Sequence, residues 1–459
     1  MAFPRALTAL VATLAGACSF DAGGGSATAP IDAARDDGGA PVVDAAPGTP
    51  DAGGDPVACT ADGDPCPLTC QQNEDLGGEF CTTPSNIPAD IAAACGDTGA
   101  ALTPAAGDVL VEDVDGIRIR CTISCDGLEL ATITPVTTVA QPDGAPPLAV
   151  FCLSQMNIPS GVTLTVSPGL GAAVALLVHK GVVIDGPVNV DGGAATAGDG
   201  LPGSGGGVAG AGGGAGAGLS GLPGNPGAGM CGGSGGDRVG ITGDHAAGGG
   251  GGGGHGGQGG AGGQGVDLAI STTAAGGDPG GPNCGSDELR PLRGGGGGGG
   301  GGDGSCDNTC GWAGGGGGGA LQISSRGSMT LSGVIQATGG AGFGETAGQG
   351  SNGGGGGGGA GGGILLEAPE IVLAAGAGLV VNGGAGGDAG GGAGGGGAIG
   401  SASAGGKGND GTAARQGGSG GGGGGGRVRM NATVAGECTD DVSPDGICTV
   451  GKLRLQLLF

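Results

Sequence analysis

Acidic side chains within short apolar segments are the first candidates for chemistry in this sequence. Four carboxylates and two nearby cations share this setting: Asp185, Asp191, Glu367, Glu370, Lys180 and Arg326. Two carboxyl groups on adjacent strands could serve as the acid and the base, or the nucleophile, that cleave a glycosidic bond. The alternative is that they are solvent-facing residues at chain corners. Aromatic residues make up only 2% of the chain, whereas sugar sites usually stack rings on them, so we expect no catalytic residue.

Cysteine spacing offers a second kind of chemistry. Three pairs have three residues between them, which fits a loose zinc-ligand pattern: Cys66 and Cys70, Cys121 and Cys125, and Cys306 and Cys310. The chain has 15 Cys and only three His, and the number is even once Cys18 is set aside. An even number favours disulfides in an exported protein. We expect Cys438 to pair with Cys448, which has no close rival, and propose Cys231 with Cys284; the other pairings stay open.

Further ligand motifs carry little weight. Matches to G-x-G-x-x-G follow from composition alone, and no Gly-Lys is followed by Ser or Thr, so a phosphate-binding loop is excluded. Asp62-Gly63-Asp64 and Asp303-Gly304 could hold calcium, but no run of calcium-binding nonapeptides accompanies them. A net charge of −26 argues against nucleic acid as a partner. We therefore expect no metal and no cofactor.

The first residues have the features of an export signal. A short apolar run at 6–17 follows one positive charge and leads into Ala15-Gly16-Ala17-Cys18. This resembles a bacterial lipoprotein signal, which implies lipidation of Cys18 and a membrane partner through that anchor. Ser19 in place of Asp favours the outer membrane by the same resemblance. The alternative is an ordinary secretory signal. Residues 19–58 then form an acidic linker of Asp, Ala, Pro and Gly that we expect to be disordered.

Three similar apolar cassettes must position the candidate residues. They occupy 172–193, 319–340 and 363–384, and each ends in Gly-Gly. Each contains three short segments in which apolar residues alternate. The first segment is Val174/Leu176/Val178 in the first cassette, Leu321/Ile323 in the second and Ile364/Leu366 in the third. A fourth, partial copy begins at Gly426 and resumes at Lys452 to Leu455. The pattern predicts a mainly β fold of parallel β-solenoid or β-helix-like repeats; a β-sandwich of hairpins is the alternative.

The remaining sequence divides into a Cys-rich segment and glycine tracts. We expect residues 59–158 to form a small disulfide-rich β domain and residues 159–459 to form the glycine-rich β-repeat domain. Glycine supplies 131 of the 459 residues, mostly in tracts at 193–318, 339–362 and 383–426. Such polyglycine could form side-by-side strands of polyproline-II type or a mobile brush. The entropic cost of ordering each glycine nearly equals the free energy that its backbone hydrogen bond returns, so we expect the tracts to be partly ordered.

Several segments together resemble a known kind of protein. The text IPSGVTLTV, followed by VVIDGPVNVDGG, GGGALQISS and GGGRVRMN, resembles the glycine-rich exported lipoproteins of myxobacteria. The resemblance implies a lipid-anchored protein at the outer membrane or cell surface, and it names no activity. We expect a non-catalytic structural, coat or adhesive role, with extracellular polysaccharide or matrix as a further partner. A β-helix protein that binds or cleaves polysaccharide is the alternative.

Overall fold

Parallel strands dominate the structure, which is a computed structural model. It describes residues 55–458 except for 60–65, 67, 74–77, 96–98, 126–127, 130–131, 197–208, 211–212, 214–216, 218–222, 239–245, 269–270, 305–310, 346–351, 391, 400–402, 413–415, 436–441, 445–446 and 456. The described residues belong to one compact unit, Gly53–Phe459. The expected signal peptide, the lipidation site Cys18 and nearly all of the linker lie outside them.

The strands fall into three successive groups along the chain. The Cys-rich segment contributes β1 (Asp55–Pro56), β2 (Cys70–Asn73), β3 (Gly78–Thr83), helix α1 (Ala89–Ala94), β4 (Ala100–Leu102), β5 (Val109–Asp113), β6 (Ile117–Cys121), β7 (Ser124–Cys125), β8 (Leu128–Glu129), β9 (Thr132–Ile133), β10 (Thr137–Val139) and β11 (Leu148–Ile158). The cassettes and tracts contribute β12 (Leu164–Val166), β13 (Ala173–Val178), β14 (Val182–Ile184), β15 (Val188–Asn189), β16 (Gly265–Asp267), β17 (Thr272–Ala274), β18 (Ala320–Ser325), β19 (Met329–Leu331), β20 (Val334–Gln336), β21 (Gly363–Leu373) and β22 (Gly378–Val380). The last group is β23 (Arg427–Ala435), β24 (Val442–Ser443), β25 (Cys448–Gly451), β26 (Arg454–Leu455) and β27 (Leu457–Leu458).

Corresponding positions of successive cassettes pair with one another in parallel. Leu176 of β13 lies opposite Ile323 of β18, which lies opposite Leu366 of β21, and Met430 of β23 follows. All four side chains are buried. The alternating segments recognised in the sequence are therefore the units that stack, and the prediction of a mainly β fold is confirmed.

Two further ladders complete each cassette. One joins β14 to β19 and β19 to the second half of β21, and the other joins β15 to β20 and β20 to β22, all in parallel. Because β11 and β21 are long enough to pair at both ends, six parallel strands close into a ring in the order β11, β13, β18, β21, β19, β14. Among the described strands, none pairs with another strand of its own cassette.

The apolar core lies between these ladders. Val174, Leu176 and Val178 of β13 face one large buried cluster, and Ala173 and Leu177 face a second, smaller cluster. A strand covered on both faces is typical of parallel sheets. The second cluster includes residues of the Cys-rich segment, whose strand β11 pairs with β13 and whose strand β5 pairs with β12. The Cys-rich segment thus shares both sheets with the repeats.

The described glycine tracts form an ordered lattice of extended segments. In segment 248–254, successive backbone N–H groups donate to different neighbouring segments, and every third N–H group donates to the same segment. Gly249 and Gly252 donate to segment 260–263, whereas Gly250 and Gly253 donate to 355–358. Three residues per turn is the geometry of polyproline II. The expected partial order is realised in these segments as side-by-side strands of this type.

Each interior segment of the lattice has six neighbours. Segment 248–254 donates backbone hydrogen bonds to three of them, namely 231–237, 260–263 and 355–358. It accepts hydrogen bonds from the other three, namely 277–280, 296–302 and 421–424. Segment 353–362 is surrounded in the same way. A three-fold helix with one donor and one acceptor per residue points its bonds in six directions, which explains this arrangement.

Close approach of the segments explains why they consist of glycine. A Cβ atom added at Gly252 would lie 1.9 Å from the carbonyl oxygen of Gly422, which no side chain can tolerate. The segments also continue directly into strands, because 311–319, 352–362 and 416–426 lead into β18, β21 and β23. The cassettes and the lattice are therefore continuous with each other, although neighbouring lattice segments run both parallel and antiparallel.

The end of the chain departs from the expected repeat. Residues 452–455 were predicted to resume the fourth cassette copy, but β26 pairs antiparallel with β3 of the Cys-rich segment. Strand β27 likewise pairs antiparallel with β1. The parallel stack is instead continued by β25, which pairs with β23. A two-residue alternation fits either kind of pairing, so the sequence could not distinguish them.

Candidate functional site

Glu367 is the candidate carboxylate with the most elaborate surroundings. It lies on β21, and its side chain is fully buried. Its oxygens accept hydrogen bonds from Ser85 N (3.1 Å), Ser85 Oγ (2.5 Å), Gln322 Nε2 (2.9 Å), Ser324 Oγ (2.8 Å) and Asn431 Nδ2 (3.2 Å). Burying a carboxylate is costly unless its oxygens are bonded in this way. The interpretation of Glu367 as a solvent-facing corner residue is therefore wrong.

The Glu367 cluster joins two parts of the chain. Ser85 belongs to the Cys-rich segment, while the other donors lie on β18 and β23 beside β21. Asn86 extends the network, because its Nδ2 donates to Gln322 Oε1 at 3.1 Å and to the carbonyl oxygen of Leu289 at 3.0 Å. The carboxylate is occupied by protein donors and shielded from solvent, so it holds the segment against the sheet and offers no substrate access.

The other three acidic candidates are half-buried or exposed, and the two with hydrogen-bond partners have different ones. Asp191 accepts from Thr338 Oγ1 and from Gln336 Nε2, both at 2.7 Å. Asp185 is exposed at a corner and accepts from Ser332 Oγ at 2.5 Å. Glu370 is exposed two residues beyond the buried part of β21. No two of these carboxylates are bridged by a shared hydrogen-bond partner in the described residues.

The two candidate cations also separate. Lys180 is exposed. Arg326 is partly buried, its Nη2 donates to the carbonyl oxygen of Ala92 at 3.1 Å, and its Nη1 lies 3.2 Å from His179 Nδ1. Burial lowers the pKa of Arg326. Arg326 thus contacts helix α1.

Most of the described sulfur atoms are in disulfides. The bonds join Cys59 to Cys70, Cys66 to Cys81, Cys95 to Cys152, and Cys231 to Cys284. The sulfurs of Cys59, Cys66 and Cys70 come within 4.8 Å of one another, yet each is engaged in one of these bonds. Cys448 is also disulfide-bonded. Its expected partner Cys438, like Cys306 and Cys310, lies outside the described residues.

Of the two suggested calcium sites, only Asp303-Gly304 lies within the described residues. The carboxylate of Asp303 is buried, and its Oδ2 lies 3.8 Å from Arg238 Nη1. Asp62 and Asp64 lie outside the described residues. Glu112 is a further charged residue of note, because hydrogen bonds from Arg120 and Arg118 lower its pKa to about 2. This ion-pair group lies on β5 and β6 of the Cys-rich segment.

His255 is a buried titratable residue that the sequence did not single out. It directly follows the interior segment 248–254, and its Nδ1 lies 3.2 Å from the carbonyl oxygens of Gly361 and Gly362. Burial, with a contribution from the charge of Arg427, lowers its pKa to about 4. The ring is therefore neutral at pH 7, and Nδ1 carries the proton because both of its neighbours are acceptors.

A shallow cleft of about 220 Å³ opens beside the Cys231–Cys284 disulfide. Arg293 lines it, and this side chain donates from Nη2 to the carbonyl oxygen of Asp143 at 2.5 Å. The remaining lining is largely glycine backbone. Among the described residues that line the cleft there is no carboxylate and no free thiol.

Neither a membrane-spanning helix among the described residues nor a known relative was found for this chain. No helix in the described part of the chain is long and apolar enough to cross a membrane. No family model matches the sequence, and neither the curated proteins nor the solved structures contain a significant match to it.

Proposed function

We propose that this chain is a non-catalytic, exported lipoprotein with a structural, coat or adhesive role at the outer membrane or cell surface. The observation that carries the proposal is the glycine lattice, whose interior segments are each bonded through their backbones to six neighbours. Such a body presents a fixed surface and has few side chains with which to do chemistry. Cys18 would carry the lipid, and residues 19–58 would act as a flexible tether.

The repeat region is best interpreted as a short parallel β-solenoid from which the lattice extends. Its support is the set of three parallel ladders, in which Val174, Val182 and Val188 of the first cassette pair with Leu321, Met329 and Ile335 of the second. Three strands per cassette, each stacked on its counterpart, is what a solenoid coil requires. The glycine tracts then occupy the connections between one coil and the next.

The positions and hydrogen bonds of the four acidic candidates support the proposal that the chain is not catalytic. Glu367 is fully buried and bonded to protein donors, Asp185 and Asp191 accept from different side chains, and Glu370 is exposed. Acid–base cleavage of a glycosidic bond needs two carboxyl groups on either side of one accessible position. The described residues provide no such pair.

Polysaccharide binding is a second candidate, favoured by one observation. The outer face of the third ladder carries polar side chains in register, including Thr165, Asn189 and Gln336, with Asp191 bonded across to Thr338. A row of hydroxyl, amide and carboxylate groups at strand spacing could hydrogen-bond a linear glycan. It lacks aromatic residues, so we rank it below the structural role.

Anchoring and ligand binding can be tested separately. We expect the full chain, expressed in a Gram-negative host, to incorporate labelled fatty acid and to fractionate with membranes, and Cys18→Ser to lose both properties while Ser19→Ala keeps them. Equal behaviour of Cys18→Ser and the parent chain would contradict lipid anchoring. Soluble protein lacking residues 1–18 should bind no member of a panel of neutral and acidic bacterial polysaccharides. Saturable binding that is lost in Gln336→Ala would replace the structural proposal with the second candidate.

A further inference from the structure

Arg293 is a buried cation without an anionic partner among the described residues. It is 8% exposed, and its one described hydrogen bond runs from Nη2 to the carbonyl oxygen of Asp143 at 2.5 Å. A guanidinium is always charged and has five N–H groups, so four of these groups have no acceptor in the described part of the chain. Burying a charge is costly unless the charge is paired.

Two other largely buried arginines have the carboxylate that Arg293 lacks. Arg427, which is also 8% exposed, forms an ion pair with Asp287. The Nη1 atom of Arg238 lies 3.8 Å from the buried carboxylate of Asp303. Acidic residues outnumber Lys and Arg by 41 to 15 in this chain. The lack of a carboxylate beside Arg293 is therefore a feature of its site and does not follow from composition.

Arg293 lines the cleft of about 220 Å³ beside the Cys231–Cys284 disulfide. It is the one charged residue among the described residues that form this lining. Pro146, Met230 and the disulfide supply apolar walls, and the rest of the lining is glycine. Sites for drug-sized ligands have volumes of about 300–1,000 Å³. The cleft is smaller, so it admits a single small group.

The backbone next to Arg293 is held in place by the Cys-rich segment. Leu292 N donates to Gln141 Oε1 at 2.8 Å, and the carbonyl oxygen of Leu292 accepts from Gln141 Nε2 at 2.9 Å. The guanidinium is thus positioned before a ligand arrives, which reduces the entropic cost of binding. Its charge also acts on the surroundings, because it helps burial and the charge of Arg427 to lower the pKa of His255.

We propose that the cleft at Arg293 binds a small oxyanion, namely the carboxylate or phosphate group of a ligand whose remainder lies at the apolar rim. The planar fork of a guanidinium donates two parallel hydrogen bonds to either group. The bound anion supplies Arg293 with the counter-charge that Asp287 supplies to Arg427. This site goes beyond the structural role proposed above and does not depend on it.

Isothermal titration calorimetry of the oxidised full chain tests the proposal with inorganic phosphate and, separately, with acetate. Sodium chloride at equal ionic strength is the reference for charge screening. We expect saturable binding of at least one oxyanion, and the tighter of the two identifies the group that the cleft prefers. Arg293→Gln should weaken binding about tenfold or more, because hydrogen bonds to a charged group contribute on that scale. Lys407→Gln removes the same charge from an exposed position and should bind like the parent chain.

A second variant tests the cleft with Arg293 still present. Met230 is 60% exposed and lines the cleft, so Met230→Glu should fold and place a carboxylate that pairs with the guanidinium and displaces the anion. Leu268→Glu adds the same charge at a residue that is 58% exposed and does not line the cleft, and it should leave binding unchanged. Heats in phosphate and acetate no larger than in chloride, or binding that survives both Arg293→Gln and Met230→Glu, would overturn the proposal.

Discussion

The cassettes and the glycine lattice both hold extended segments side by side, but the cassettes use side-chain packing and the lattice uses backbone hydrogen bonds. In the cassettes, parallel strands are held together by side chains such as Leu176, Ile323 and Leu366, which fill the space between sheets. In the lattice, the interior segments are almost entirely glycine, with Ala360 a buried exception, and adjacent backbones are joined by hydrogen bonds in six directions. The cassette core can relax around a missing group, whereas the lattice has no free space for an added one. The two regions should therefore respond oppositely to changes in side-chain size.

An added methyl group inside the lattice should have the largest effect. Gly252→Ala places its Cβ against the carbonyl oxygen of Gly422, and relief requires the segments to move apart. We expect destabilisation of more than about 3 kcal/mol, at the upper end of single substitutions. The control is Gly396→Ala, which should be neutral or slightly stabilising because space is open there. Urea unfolding of both variants measures the difference, and equal midpoints would remove the steric basis of the lattice.

A removed group in the cassette core should have the next largest effect. Leu366→Ala leaves a cavity in a fully buried position, and such changes cost about 2–5 kcal/mol. Val372→Ala is the matched control on the same strand, because Val372 is 41% exposed, and it should stay within about 0.5 kcal/mol of the parent chain. Thermal unfolding compares them. A Leu366 variant as stable as the control would mean that the cassettes are not held by their core.

Acidification should weaken the lattice through His255. The pKa of this ring is lowered to about 4 in the folded chain, so below its ordinary value the unfolded state binds more protons than the folded state. Stability should be complete above about pH 6.5 and fall by up to about 3 kcal/mol as pH decreases to about 4. The difference in unfolding free energy between the parent chain and His255→Gln, followed against pH, isolates this contribution. A difference that is independent of pH would contradict the assignment.

The smallest effect concerns the contact between the Cys-rich segment and the sheet. Glu367→Gln preserves size but presents an amide to groups that donate hydrogen bonds, so at least one donor loses its acceptor. A buried donor left unsatisfied costs about 1–3 kcal/mol. Glu370→Gln, three residues away and exposed, should change stability little. Limited proteolysis should release the Cys-rich segment faster in the first variant only, and identical digestion patterns would assign Glu367 no role in holding it.

The sequence predicted the cassette region in some detail. Alternation in the segments around Val174, Leu321 and Ile364 gave the positions that pair, because one face of each strand must be apolar. The partners within the glycine tracts could not be predicted. Polyglycine has the same surface at every position, so its sequence contains no information on register or neighbour.

The candidate site was predictable only in part. Ser324, Glu367 and Asn431 each follow the last apolar residue of the first segment of a cassette copy, and alignment of the copies would have placed these polar side chains side by side. Another partner of Glu367, Ser85, is 282 residues away in the chain, and nothing in the sequence connects them. His255 was overlooked because its burial results from glycine segments whose arrangement the sequence does not specify.

The central claim is that the glycine tracts are ordered by backbone hydrogen bonds, and amide hydrogen exchange tests it most directly. Exchange measured by mass spectrometry should show segments 248–254 and 353–362 protected as strongly as the cassette strands, because each interior amide donates to a neighbouring carbonyl. Both regions should lose protection together as urea is added. Exchange of these glycines at the rate of an unstructured chain, with the cassettes still protected, would mean that the tracts form a mobile brush and that the lattice does not exist in solution.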